Sequence, residues 1–313
     1  MRRRLLFGLV AAGVFVWLLV AGMTLLAARN ATRDGTNTLE RARAVLTPEG
    51  IVDGAGLDLL NEANADFERA HDKVRSAWIA PLRVLPVVGR QVRSVDALTS
   101  AASNVTEVGI DAMDSARAVL DRVPSDGPAR VAVSSELAAI SASSSERLED
   151  VDLGPSRALL SPLRDARRRF EEELAGLRDS TARLRDGSAA FVTFLQGPSR
   201  YLLLAANNNE MRIGSGTFLS IGQLDVTNGQ LTIGEMRPTT DFPVPAGAVT
   251  IDGDVADRWG WLEPQYEWRN LGATPRFDTQ AELAARMWKA ATGVEVDGVL
   301  ALDPVALRAL LVA

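Results

Sequence analysis

The chain contains no cysteine and a single histidine, His71. Without cysteine there is no disulfide, no thiolate nucleophile and no Cys-type zinc site. With its one histidine at position 71, neither a His-rich metal site nor a Ser-His-Asp triad can form in the C-terminal part. Aromatic residues are scarce, at 5%. Alanine is abundant, which favours helices over a large β-sandwich. Basic residues are outnumbered, 34 against 40 acidic ones, for a net charge of −6. That balance argues against nucleic acid as the main partner, because neutralising phosphates needs a cationic surface.

The chain opens with Arg2-Arg3-Arg4 and an uncharged stretch, residues 5–28. As a helix this stretch is roughly 36 Å long at about 1.5 Å per residue, enough to cross a bilayer. It exceeds the roughly 7–15 apolar residues of a cleaved signal peptide. The sequence therefore predicts a transmembrane helix over 5–28 acting as a signal-anchor, with the lipid bilayer as its partner. Residues 1–4 are then cytoplasmic, and the bulk of the protein lies outside the cell membrane.

Residues 29–196 read as an extracytoplasmic helical stalk. Leu57, Leu60, Asn64, Phe67, His71, Val74 and Trp78 alternate by three and four, one stripe on one helix. His71 in that stripe reads as a helix-interface residue. Pro81 and the run Pro86-Val87-Val88-Gly89 break the helix into an interhelical turn. Its exposed apolar residues also suit contact with a membrane surface. Further helices are predicted over 91–123, over 130–148 and up to Gly197. In the last, Leu163, Phe170, Leu177, Leu184 and Phe191 recur every seven residues, with Leu174 and Leu195 beside them. This predicts coiled-coil-like packing, although Arg167, Thr181 and Ser188 fall where a second apolar row belongs. The cluster Arg167–Glu173 reads as a solvated face.

Residues 197–313 read as a mixed α/β domain, so the fold class expected for the chain is α+β. Tyr201–Ala206 is a buried strand. Runs 217–226 and 230–236 flank Asn228-Gly229, a strong hairpin signal. Trp259, Trp261, Tyr266 and Trp268 fall in a loop-rich region, 238–275. They line a carbohydrate or headgroup cleft, or pack a small core. Thr279 with Glu282 forms a capping box for a helix to about Ala291, and Gly293 suits its C-terminus. A strand over 296–302 follows, then a helix opened by Asp303-Pro304. That helix runs into the end of the sequence, so the domain reads as truncated.

The stretch Asn207-Asn208-Asn209-Glu210-Met211-Arg212, the glycine step after it, the hairpin and Thr239-Thr240-Asp241-Phe242 together resemble the bacterial "domain of unknown function 4012" family. Residues 291–311 resemble that family's second half, and the anchor and Leu-Pro-Val-Val-Gly break resemble its usual layout. The domain also resembles the LytR-CpsA-Psr fold, whose members transfer glycopolymers from polyprenyl-pyrophosphate carriers. Arg212, Thr217 and Arg237 match that pattern. Gly216 and Pro238 stand where it has aspartates, and Asp241 lies three residues beyond Pro238.

These resemblances imply a cell-envelope protein that binds a lipid-linked or anionic glycan through Arg212, Arg237, Asn208, Glu210 and Asp241. No cofactor is expected for binding. A glycopolymer phosphotransferase is the alternative, with Asp241 or Asp278 replacing the missing carboxylates around magnesium. A scaffold acting through the helical stalk is another. Arg212 and Arg237 also suit plain ion-pairing beside strands, and the asparagine run suits an ordinary polar strand exit.

Overall fold

The computed structural model describes residues 2–45, 56–207, 210, 212–213, 216–303 and 305, with side chains from residue 16 onward except Leu18. The chain divides into two compact units. One holds Met1–Val123 and Val133–Ala190, the other Pro124–Ala132 and Phe191–Ala313.

The first unit is helical. α1 (Arg2–Val45) and α2 (Leu57–Arg75) run antiparallel, as Trp17 meets Trp78, Gly35 meets Phe67 and Arg41 meets Glu62. Leu60, Phe67 and Val74 are buried with Ala63 and Ala70 between them, so the predicted stripe is an inner face. Trp78 lies past the helix end and is 55% exposed. A 3-10 turn (Ala80–Val84) with proline in its first positions reverses the chain. A β-carbon on Gly89 would collide with the Arg83 carbonyl, so only glycine lets the turn close this tightly. α3 (Val88–Leu120) returns alongside α2. Ser103 donates to Asn64 at 2.8 Å, and His71 Nδ1 lies 3.3 Å from Asp96.

The membrane span expected at 5–28 is overturned. Among the described residues no helix is long and apolar enough to cross a membrane, and the signal-anchor reading goes with it. The packing of α1 supplies a physical reason. Ala21 and Ala28 are buried with Val74, Ile79, Leu82 and Val92, and Trp17 and Leu25 pack against that cluster. Trp17 Nε1 donates to the Trp78 carbonyl at 3.0 Å. From Trp17 onward the apolar stretch is thus part of the helical unit. The residues before it, 5–16, make only about 18 Å of helix against a hydrocarbon core of about 30 Å.

α4 (Gly127–Glu149) and α5 (Ser161–Gln196) are also antiparallel. α5 buries only the first part of the predicted heptad row, where Phe170 packs against two buried clusters. Leu174 and Leu195 are buried, but Leu177, Leu184 and Phe191 are exposed. The inward row passes through Arg167, Arg178, Thr181 and Ser188. Arg178 donates to the carbonyls of Leu148, Glu149 and Val151, Arg167 donates to that of Leu153, and Ser188 meets Ser141 at 2.8 Å. The last carbonyls of α4 and the segment after it lack intrahelical partners. Their need for donors decides which face of α5 turns inward.

The second unit is built on a mixed sheet in the order β3-β2-β1-β5. β1 (Ser199–Asn207) pairs antiparallel with β2 (Thr217–Thr227) and parallel with β5 (Gly298–Leu302). β3 (Gln230–Ile233) and the short β4 (Arg237–Pro238) both pair antiparallel with β2. Asn228 and Gly229 have φ of 47° and 74°, the two left-handed residues a type I′ turn requires. The turn is held from outside the sheet. Asn228 N donates to Gln196 O at 2.8 Å, Gly229 N to Leu195 O at 2.7 Å, and Arg130 to Gly229 O at 2.9 Å.

Side chains alternate along β1. Leu202, Leu204 and Ala206 join Phe218 and Ile221 under Trp268, Leu271 and the inner face of α7 (Phe277–Thr292), which follows the short α6 (Gly253–Trp259). Leu203 faces the other way with Leu224 and Val226, covered by Phe194 and Tyr201. α7 begins at Phe277, two residues before the predicted Thr279 cap. It ends at Gly293 in the left-handed conformation, φ 77°. The helix predicted from Asp303-Pro304 lies outside the described residues.

Candidate functional site

β1 and β5 run in the same direction, with Ala205 beside Leu302. Past the end of β1 the chain passes Glu210 and Arg212 before entering β2 at Thr217, which lies opposite Asn207. The carboxyl edge of parallel strands is where open α/β sheets gather ligands. Two of the predicted ligand-binding residues, Glu210 and Arg212, belong to this edge, together with Thr217 of the glycopolymer-transferring pattern; Asn208 lies outside the described residues.

Arg212 is exposed, and its Nη2 donates to Asn270 Oδ1 at 3.3 Å. The Asn270 side chain is aimed by its own Nδ2, which donates to Leu262 O at 2.7 Å. Among the described residues no carboxylate pairs with Arg212. Asn270 sits on a 3-10 turn, Trp268–Ala273, which lies close against residues 212–216. A β-carbon on Gly272 would collide with Gly216 O and come within 3.2 Å of Arg212 Cβ. Gly216 has φ 94°, a left-handed value that disfavours the aspartate found there in the LytR-CpsA-Psr pattern. Thr217 beside it is buried, 1% exposed, and its Oγ1 has no hydrogen-bond partner among the described residues.

Arg237 occupies a different place. It pairs with Ile221, four positions along β2 from Thr217, or about 13 Å at about 3.3 Å per residue. Its guanidinium is engaged on both sides: Asp241 Oδ2 lies 2.9 Å from Nη2, and the Phe242 ring centroid lies 5.1 Å away. Phe242 in turn packs on Trp288 at 4.9 Å. Arg237 and Asp241 thus satisfy each other at a strand edge.

Glu210 lies at the mouth of the first cluster, its N bonded to Asn207 O at 3.3 Å. Nearby, Arg269 and Glu267 form a two-pronged pair at 2.8 and 2.9 Å. That pair holds the Glu267 carboxyl below its ordinary range, against the opposing effect of burial. Glu267, and Glu210 more weakly, hold the Arg269 guanidinium above its own. The carboxylates proposed as magnesium ligands are paired elsewhere: Asp241 with Arg237, and Asp278 with Arg276. The Arg276 guanidinium also keeps the Asp278 carboxyl low. Asp297 bridges two strand starts, accepting from Arg200 N at 2.8 Å while its own N donates to Arg200 O at 2.7 Å.

The aromatic segment divides. Trp268 is a core residue whose Nε1 donates to Phe242 O at 2.8 Å, and Tyr266 Oη accepts from Gly247 N at 3.0 Å. Trp261 alone of the four is strongly exposed, at 78%. Asn270, the residue that orients Arg212, carries no sequence signal. Gly272 marks the close approach, but only its neighbours in space reveal that.

Residues 196–313 match the family described as Protein of unknown function (DUF4012). No curated protein and no solved structure matches the chain.

Proposed function

We propose, for a chain whose residues 196–313 belong to the DUF4012 family, that this domain is a recognition module for an anionic ligand, a phosphate-bearing glycan of the cell envelope. The observation that carries this reading is Arg212: an exposed guanidinium at the carboxyl edge of a parallel strand pair, bonded to a neutral amide oxygen and to no carboxylate among the described residues. An arginine in that state keeps most of its donors for a planar anion such as phosphate. The Thr217 hydroxyl, without a hydrogen-bond partner among the described residues, supports a ligand of oxygen acceptors. The likeness of Arg212 and Thr217 to the glycopolymer-transferring pattern supports a pyrophosphate-linked glycan. Binding rather than transfer is favoured, because Gly216 replaces a carboxylate and Asp241 is neutralised by Arg237.

The test is titration of the full chain with a short-chain polyprenyl pyrophosphate and with inorganic pyrophosphate, each with and without magnesium. Loss of one charge-assisted contact weakens binding by about tenfold to a hundredfold, the loss expected for Arg212→Glu. Arg237→Gln is expected to bind within a few-fold of wild type, since that guanidinium is already occupied. Unchanged binding in Arg212→Glu, or none by the wild type at millimolar ligand, overturns the proposal.

A further inference from the structure

Trp261 stands in the open, and it is held there. Its Nε1 donates to Arg258 O at 3.2 Å, which fixes one edge of the indole. The chain turns sharply just after it. Glu263 takes a left-handed conformation, φ 48°, and its carbonyl accepts from Tyr266 N at 3.0 Å and Glu267 N at 3.1 Å. A residue with a β-carbon seldom adopts that conformation, and these bonds are what keep it there. A side chain ordered before a ligand arrives loses little freedom when it binds.

The same turn is tied to the anion site. Asn270 donates to the carbonyl of Leu262, the residue after Trp261, and accepts from Arg212. One side-chain amide therefore spans the gap, and Leu262 O lies within about 8 Å of the Arg212 guanidinium. A single pyranose ring with a phosphate on its anomeric carbon bridges a gap of that order. Between residues 237 and 276 Trp261 is the one large apolar side chain left strongly exposed, and its sequence neighbours Asp257, Arg258 and Glu263 are exposed and charged. A protein or lipid partner needs a contiguous apolar patch. A lone indole rimmed by polar groups suits a sugar, which has a face of C–H groups and an edge of hydroxyls.

We infer that Trp261 is a sugar subsite: its indole stacks on the pyranose ring whose phosphate Arg212 holds. The inference rests on the anion site proposed above and adds to it the residue that tells a glycosyl phosphate from phosphate alone.

The test is calorimetric titration of the full chain with glucose 1-phosphate and with inorganic phosphate. Wild type is expected to bind the sugar phosphate about tenfold more tightly than phosphate. Trp261→Ala changes an exposed side chain, so circular dichroism should match wild type. It is expected to bind both ligands alike, at the affinity of wild type for phosphate. Trp261→Phe keeps a ring and should recover part of the preference, whereas Arg212→Glu should lose both ligands. Phosphate binding with no preference for the sugar, a preference that survives in Trp261→Ala, or loss of phosphate binding in Trp261→Ala each overturns the sugar subsite and leaves the anion site standing. Binding of neither ligand by wild type at millimolar concentration overturns both.

Discussion

The helical unit intersperses many buried alanines, serines and threonines among its leucines and valines, whereas the sheet-containing unit gathers leucine, phenylalanine and tryptophan in one cluster. Ala63, Ala70, Ala101 and Ala102 are buried among the helices, together with Ser94, Thr99, Ser103 and Thr106. Thr99 and Thr106 satisfy their hydroxyls on carbonyls four residues back, at 3.0 and 2.7 Å, so they ask nothing of the opposing helix. Small residues let helices approach closely, and cohesion then comes from contact along their length. The other unit concentrates Leu202, Leu204, Phe218, Ile221, Met287 and Trp288 in one cluster. The two units reach a packed interior by different means and should fail differently.

The largest expected effect is in the sheet. Phe218 is fully buried, and Phe218→Ala should cost about 3–5 kcal/mol through the cavity it leaves, read by urea denaturation. The helical unit should instead be most sensitive to added bulk. Ala63→Leu, against Phe67 and Ala102, should cost about 1–3 kcal/mol by overpacking. If Ala63→Leu is neutral, close helix approach is not what holds that unit. Arg178→Met keeps the stem but removes the donors to three carbonyls, and about 1–3 kcal/mol is expected for polar groups left unpaired. The smallest effect is electrostatic. Glu267 has its folded pKa lowered by Arg269, so its stabilisation is present at neutral pH and lost as pH falls below the ordinary glutamate value. Half-exposure screens the pair. Glu267→Gln should therefore cost only about 0.2–1 kcal/mol near pH 7, and the difference from wild type should shrink away as pH falls through the lowered folded-state value.

What the sequence made legible is what local chemistry decides. Asn228-Gly229 announced its turn because few residues take two left-handed conformations in a row. Gly293 announced a helix end for the same reason, and the apolar run Tyr201–Ala206 announced a strand covered on both faces. What stayed hidden depends on partners. An uncharged run at 5–28 looks the same facing lipid or facing Val74 and Ile79. The heptad of α5 looked like a seam, yet open carbonyls at the end of α4 drew Arg178 inward and left Leu184 outside. At the candidate site, Arg212 and Arg237 read alike in sequence. Only the neighbours separate them, Asn270 for one, Asp241 and Phe242 for the other.

The tip of the β2–β3 hairpin carries a consequence for anyone labelling this protein. A two-residue Asn-Gly turn is ordinarily the first place to splice in an epitope tag or a reporter peptide. Here both turn amides are spent on Leu195 and Gln196, the Gly229 carbonyl takes Arg130, and a β-carbon on Gly229 would collide with Gly127. Three segments some 30 to 70 residues apart in sequence meet at that point, so inserted residues should disturb all of them at once. The same amides should be among the slowest in the hairpin to exchange with deuterium, although turn tips are usually among the first.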